Sequence, residues 1–208
     1  QVTWVVNDGM SDSAAETTTI NIVSVNAAPI LTNGYSLGYT EGDATLPVDP
    51  NIDLTDADGD MMQAATVAFT TGFEPAEDVL AYSGALTTVW DSVNGILTLT
   101  GSDTIGNYID ALRSITYENL DTTSPTEGVR VLTWTVNDGT VDSNTVTSQI
   151  TVTAVNSLPV VTAGNVQNYT EGDGAVVVDG TVDADDIDNT ALSSARITVY
   201  GGYVAGED

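Results

Sequence analysis

Residues 1–78 of this chain return, without a gap, at 131–208. "TWVVNDG" at Thr3–Gly9 becomes "TWTVNDG" at Thr133–Gly139, 130 positions later. The same step carries Asn26 to Asn156, Pro29 to Pro159, "YTEGD" at Tyr39–Asp43 to Tyr169–Asp173, and Glu77–Asp78 to Glu207–Asp208. Of the 78 overlaid positions, 29 are identical. Self-similarity at a fixed step is the mark of a tandem array, so whatever unit folds here must also stack end to end. The chain divides into the tail of one unit (1–26), a complete unit (27–156) and the head of the next (157–208). Neither part-unit can close a core alone. Each must pack on its neighbour, or be completed by another chain or by a piece across an insertion.

Within the unit the apolar period is two. Leu132, Trp134 and Val136 alternate with Thr133 and Thr135, and Val2, Trp4 and Val6 form the earlier copy of that strand. Thr-, Val- and Ile-rich runs predict further strands at 17–25 and 147–155, 35–40, 44–48, 63–70, 86–91, 96–100 and 113–118. Asn94–Gly95 marks a hairpin turn. Ile105, Tyr108, Ile109 and Leu112 have helical spacing, for one to three turns. About eight short strands in such a unit read as a β-sandwich, with a closed barrel as the alternative. Trp4 and Trp134 read as core anchors on an inward face. Trp90 is less constrained and could serve as an exposed contact.

Thirty Asp and Glu stand against three arginines, Arg113, Arg130 and Arg196, for a formal charge of -27. Binding to nucleic acid or to an anionic membrane needs a basic patch, so both are excluded as partners. Self-repulsion on this scale calls for bound cations, high salt or both. With no His and no Cys, the usual nucleophile–base pairs cannot be built, zinc sites lose their preferred ligands, and no disulfide forms. Paired carboxylates alone can run glycoside hydrolysis, but nothing marks one of them as a raised-pKa acid, and the chain reads as a non-enzyme. No run of 18 apolar residues predicts a membrane span, and Gln1 opens onto a strand-like run without a signal-peptide pattern.

The acid is concentrated. "DLTDADGD" spans Asp53–Asp60, and its second copy keeps Asp183, Asp186 and Asp188 in place of Asp53, Asp56 and Asp58. Gly59 and Asp60 become Asn189 and Thr190, so Asp60 is expected to be dispensable. Clustered carboxylate, amide and carbonyl oxygens suit Ca²⁺, which takes six to eight oxygen ligands in irregular geometry. On an extended segment, Asp56 and Asp58 would point to the same side. The EF-hand spacing fails for want of a Glu at its twelfth position, and the Gly-rich calcium nonapeptide is missing. A solvated acidic loop is the alternative reading.

The order "YTEGD", "DLTDADGD", "GILTLTG", "ALRSITYEN", "TWTVNDG" and a "VN–P" linker resembles a cadherin repeat, and closely the cadherin-like repeats of giant RTX-type bacterial surface adhesins. The resemblance covers the whole unit and implies an all-β chain of tandem cadherin-like or Ig-like β-sandwiches with a period of 130 residues. In that family Ca²⁺ ions sit between successive sandwiches and stiffen the array. Carried over, Asp56, Asp58 and Asp138 would serve the end that meets the preceding unit, with Asn26 contributing from the linker. Glu41 and Glu118 would serve the opposite junction with Asn156, Asp186 and Asp188, and Asp8 is the earlier equivalent of Asp138. The family linker carries Asp after the Asn, where this chain has Ala27 and Ser157, so fewer or weaker ions per junction are expected. "NDG" also reads as a tight turn, Asn26 and Asn156 as strand ends, and Glu118 as an exposed acid.

The function implied is a calcium-stiffened extender module of a bacterial cell-surface adhesin. Its partners would be neighbouring repeats or other copies of the chain, with a cell-surface or glycan target reached through other domains. Alternatives are a filament subunit assembled by strand exchange between chains, and a carbohydrate-binding module.

Overall fold

In the computed structural model, which describes residues 1–59, 61–202 and 204, strands dominate. Asp60 and Glu207–Asp208 lie outside the described residues. The order of elements is β1 (Val2–Trp4), β2 (Glu16–Thr18), β3 (Ile30–Thr32), β4 (Ser36–Thr40), β5 (Leu46–Pro47), β6 (Asp53–Thr55), β7 (Met62–Thr71), β8 (Asp78–Ala81), β9 (Thr87–Asp91) and β10 (Ile96–Asp103). A helix α1 (Ile105–Arg113) follows, then β11 (Thr116–Asn119), β12 (Gly128–Asn137), β13 (Val146–Thr153), β14 (Val160–Thr162) and β15 (Asp183–Asp185).

The complete unit is a β-sandwich. Its large sheet runs β4-β13-β12-β7-β10-β9, antiparallel throughout except that β4 lies parallel to β13. A three-stranded sheet β5-β11-β8 and the pair β3-β6 complete the fold. Alternation fills the core between them: Leu132, Trp134 and Val136 of β12, Val67 and Phe69 of β7, Leu97 and Leu99 of β10, and Ile150 and Val152 of β13 are all buried. In β7 the inward row skips from Met62 to Ala65, out of phase by one residue. A register shift between Thr100 and Asp103 of β10 absorbs the slip, as a β-bulge does.

Helix α1 starts where Thr104 caps it, its side-chain oxygen accepting from the Asn107 amide at 3.2 Å. Tyr108, Ala111 and Leu112 pack inward. The helix runs through Arg113, so the strand predicted from 113 begins only at Thr116. The run predicted at 44–48 pairs only over Leu46–Pro47. Strands β3, β6, β8, β14 and β15 are too short to show an alternating pattern.

The part-units repeat the local geometry of the complete one. Trp4 Nε1 donates to Thr18 Oγ1 at 2.9 Å, as Trp134 Nε1 donates to Ser148 Oγ at 3.0 Å. The Val6 amide donates to Ser13 Oγ as the Val136 amide does to Ser143 Oγ, both at 3.0 Å. What differs is burial: Trp134 is fully buried, whereas Trp4 is 61% exposed. Local hydrogen bonds form the hairpin, and only the opposing layer can cover its apolar face. The strand predicted at 17–25 accordingly stops at Thr18. Its counterpart β13 continues to Thr153 because β4 pairs with it from Gln149 onward.

Candidate functional site

The acidic stretch begins as strand β6 and then turns. Asp56 Oδ1 accepts from the Asp58 amide at 2.8 Å and the Gly59 amide at 3.0 Å. Gly59 adopts φ +70°, a left-handed conformation that glycine tolerates best. The segment is therefore a turn rather than the extended run expected from the spacing. The turn engages one Asp56 oxygen and leaves the other, Oδ2, buried with no hydrogen-bond partner. Asp58 Oδ2 reaches the linker, accepting from the Ala27 amide at 2.6 Å.

Asp138 stands just past the end of β12. Asn137 Oδ1 accepts from the Gly139 amide at 2.6 Å, and Asp138 Oδ1 from the Thr140 and Val141 amides at 2.7 and 2.8 Å. "NDG" is thus a turn, and its aspartate keeps a second oxygen for the linker: Asn26 Nδ2 donates to Asp138 Oδ2 at 2.9 Å. The Asn26 side chain first, then the Val141 amide, hold the Asp138 carboxyl below its ordinary pKa. Asn26, Asp58 and Asp138 are so tied together where the chain enters the sandwich, with Asp56 bound to the same turn.

At the far end, Glu41 follows β4 directly, and its Oε2 accepts from the Val155 amide at 2.9 Å. Glu127 Oε1 accepts from the neighbouring Ala154 amide at 3.1 Å. Asn156 Nδ2 donates to the Ser157 carbonyl at 2.7 Å, and the Ser157 amide donates to Asp188 Oδ2. Asp186 Oδ1 closes the turn through the Asp188 and Asn189 amides at 3.1 and 3.0 Å. Asp188 Oδ1 is buried without a partner. Glu127, Asn156, Asp188 and Asn189 line an open cavity of about 340 Å³ at this junction.

Two sequence-expected residues stand apart. Glu118 lies in β11 opposite Val79, with no hydrogen bond or ion pair to the linker. Asp8 is exposed and accepts from the Ser11 and Met10 amides, which together lower its pKa. Glu127 was not singled out by the sequence. Its counterpart one period earlier falls before Gln1, so comparing the two copies could not flag it.

Position 27, where the resembled family has a bridging Asp, is occupied by Ala, and position 157 by Ser. At both, the backbone N–H contacts the carboxylate that follows by 31 residues. Among the described residues, no group of three or more carboxylates stands close enough together to hold a metal ion. Carboxylate oxygens are the ligand type Ca²⁺ prefers, but one oxygen each of Asp58, Asp138 and Asp188 is already taken by an N–H of Ala27, Asn26 and Ser157. A buried, unpartnered anionic oxygen such as Asp56 Oδ2 or Asp188 Oδ1 is costly unless an ion or water meets it. Each junction thus offers one unpartnered carboxylate oxygen, Asp56 Oδ2 at the first and Asp188 Oδ1 at the second.

No family model matches the chain. In an alignment 109 residues long that covers 49% of this chain, it is 29% identical to halomucin of Haloquadratum walsbyi. That match spans 1% of halomucin's length.

Proposed function

We propose that this chain is a structural segment of an extracellular, cell-surface protein, in which Ca²⁺ gripped at the junctions between consecutive sandwiches stiffens the array. The observation that carries the reading is the pairing of linker and turn at both ends of the complete unit. The amides of Ala27 and Ser157 are held by Asp58 and Asp188, beside an orphaned carboxylate oxygen in each cluster. Asp56 and Asp186 hold the turn, Asp138 and Asn26 fix the linker to the end of β12, and Glu41 and Glu127 fix the strand that leaves. The ion would supply positive charge that relieves repulsion among these acids and couples one unit to the next. The similarity to halomucin of Haloquadratum walsbyi supports the surface location.

The carbohydrate-binding alternative finds less support. Trp90 is half-buried against Phe69 and Phe73 at ring separations of 6.4 and 6.1 Å, which leaves no flat open platform for a sugar.

The test is calcium calorimetry combined with small-angle scattering of the 208-residue chain, at constant ionic strength. The expected result is saturable binding and a maximum particle dimension that grows with calcium and shrinks in chelator. No heat of binding and an unchanged dimension would overturn the reading.

A further inference from the structure

The chain enters the complete unit through the linker at Asn26 and leaves it through the linker at Asn156. Tension along a tandem array therefore arrives at these two points and pulls them apart. What resists it is the pairing of the strands nearest each linker. The load first meets β3, whose pairing with β6 is backed by Asn144: its Oδ1 accepts from the Leu31 amide at 2.9 Å, and its Nδ2 donates to the Leu31 carbonyl at 3.0 Å. It then meets β4, which pairs with β13, the last strand of the unit, from Ser36–Gln149 to Thr40–Thr153.

The direction of that pairing decides how it fails. In an antiparallel pair the start of one strand lies beside the end of the other, and tension would open the ladder from that side, one hydrogen bond at a time. Strands β4 and β13 are parallel. Their loaded ends lie at opposite ends of the ladder, so tension runs along the strands and strains every rung together. The Gln149 amide donates to the Tyr35 carbonyl at 2.8 Å at the first rung, and the Glu41 amide donates to the Thr153 carbonyl at 2.9 Å at the last. Between them, the even spacing of a parallel ladder sets the Leu37 and Tyr39 N–H groups toward β13 and the Gly38 N–H toward the open edge. Two carboxylates carry the ladder on into the exit linker: Glu41 Oε2 accepts from the Val155 amide at 2.9 Å, and Glu127 Oε1 from the Ala154 amide at 3.1 Å.

We propose that the β4–β13 ladder, with Glu41 as its last rung, is a mechanical clamp that lets the unit bear tension between its two linkers without unfolding. This rests on the reading of the chain as a segment of a tandem surface array, because there the load reaches both linkers. The clamp itself needs no ion. Calcium at the junctions would govern how freely one unit bends on the next, whereas the ladder governs how hard a unit can be pulled. "YTEGD" returns at Tyr169–Asp173, so the glutamate of the last rung recurs in the next unit as Glu171.

The test is single-molecule pulling on the 208-residue chain, which has no cysteine of its own, so that introduced thiols alone attach the handles. Ala28→Cys with Leu158→Cys, both at exposed positions, applies the load between the linkers. Ala44→Cys with Leu158→Cys applies it across the adjoining ends of β4 and β13, where it peels the ladder. Unfolding of the unit is recognised by the length released, about 3.5 Å per residue freed. The expected result is a rupture force several times higher for the first pair than for the second at one loading rate, with the difference kept in chelator. In the first geometry Leu37→Pro, which removes a rung, should bring the force down towards the peeling value. Gly38→Pro should leave it near wild type, because proline is tolerated where an edge N–H faces solvent. Should Leu37→Pro fail to fold by circular dichroism, the two handle pairs decide alone. Equal forces for the two pairs, a difference that disappears in chelator, or a folded Leu37→Pro chain as strong as wild type would each overturn the proposal. Loss of calcium binding with the force difference intact would overturn only the reading of the junctions.

Discussion

Arg130 shares the inward row of β12 with Leu132, Trp134 and Val136, a place where an unpaired guanidinium would be severely penalised. Its Nε lies 3.1 and 3.3 Å from the two Asp78 oxygens, and Nη2 is 3.6 Å from Glu77 Oε2. Tyr117 donates its hydroxyl to Asp78 at 2.6 Å; burial first, then that carboxylate, push the phenol's pKa up. Arg130→Met would leave Asp78 charged and uncompensated, at a cost of about 3–5 kcal/mol. Adding Asp78→Asn should recover part of that loss, and urea denaturation of the single and double variants checks both. A single variant within error of wild type would mean that the pair does not bear on stability. At the junction, Asn26→Ala removes the leading cause of the lowered Asp138 pKa. The sign follows from linkage: a depressed carboxyl stabilises fully above its ordinary value near 3.8 and loses that contribution as pH falls through the folded value. An NMR titration should therefore show Asp138 moving upward in the variant. The stability gap between variant and wild type should close as the solution is acidified below pH 3.8.

At the level of elements, the same strand in two copies gives an internal control. Trp134→Ala opens a cavity in a closed core and should cost about 3–5 kcal/mol, whereas Trp4→Ala, on a face without an opposing layer, should stay within about 0.5 kcal/mol. Chemical denaturation of the two variants of the 208-residue chain decides it; equal losses would show that the 1–26 hairpin is covered after all. The contrast also explains what could be read in advance. Alternation placed β12, and Thr-, Val- and Ile-rich runs placed β4, β7, β9, β10 and β13, because each of these is long enough to show its pattern or composition. Helical spacing from Ile105 to Leu112 placed α1, though the Thr104 cap and the packing of Leu112 carry it past the predicted strand start. Thr104→Ala should cost the cap about 1 kcal/mol. Strands of three or four residues such as β3, β6 and β8 are fixed by their partners across the sheet, not by their own pattern. In the site, repeated acids pointed to Asp56, Asp58 and their copies. Two features stayed hidden: the turn in which one Asp56 oxygen accepts from the amides two and three residues on, a local contact that competes with the extended reading, and the approach of Glu127 to the linker, which depends on long-range geometry.

For the whole molecule, two effects must be separated, because any cation relieves a charge of -27. Screening by NaCl acts on all exposed acids and depends only on ionic strength, with a Debye length of about 10 Å at 0.1 M. Binding at the junctions depends on calcium activity and on particular oxygens. For sites with affinities of about 10⁻⁴–10⁻³ M, about 10 mM Ca²⁺ should add about 1.4–2.7 kcal/mol per occupied site. Thermal melting at fixed ionic strength, with Ca²⁺ replacing Na⁺, should therefore raise the midpoint beyond what NaCl alone achieves. The junction variant Asp56→Asn with Asp138→Asn should lose the first junction's share of that increment yet keep the full response to NaCl, since two charges removed from thirty acids barely change the overall repulsion. If the variant instead follows wild type through both titrations, calcium is acting as a general counterion, and the acidity of the chain serves solubility in brine and not the joining of its units.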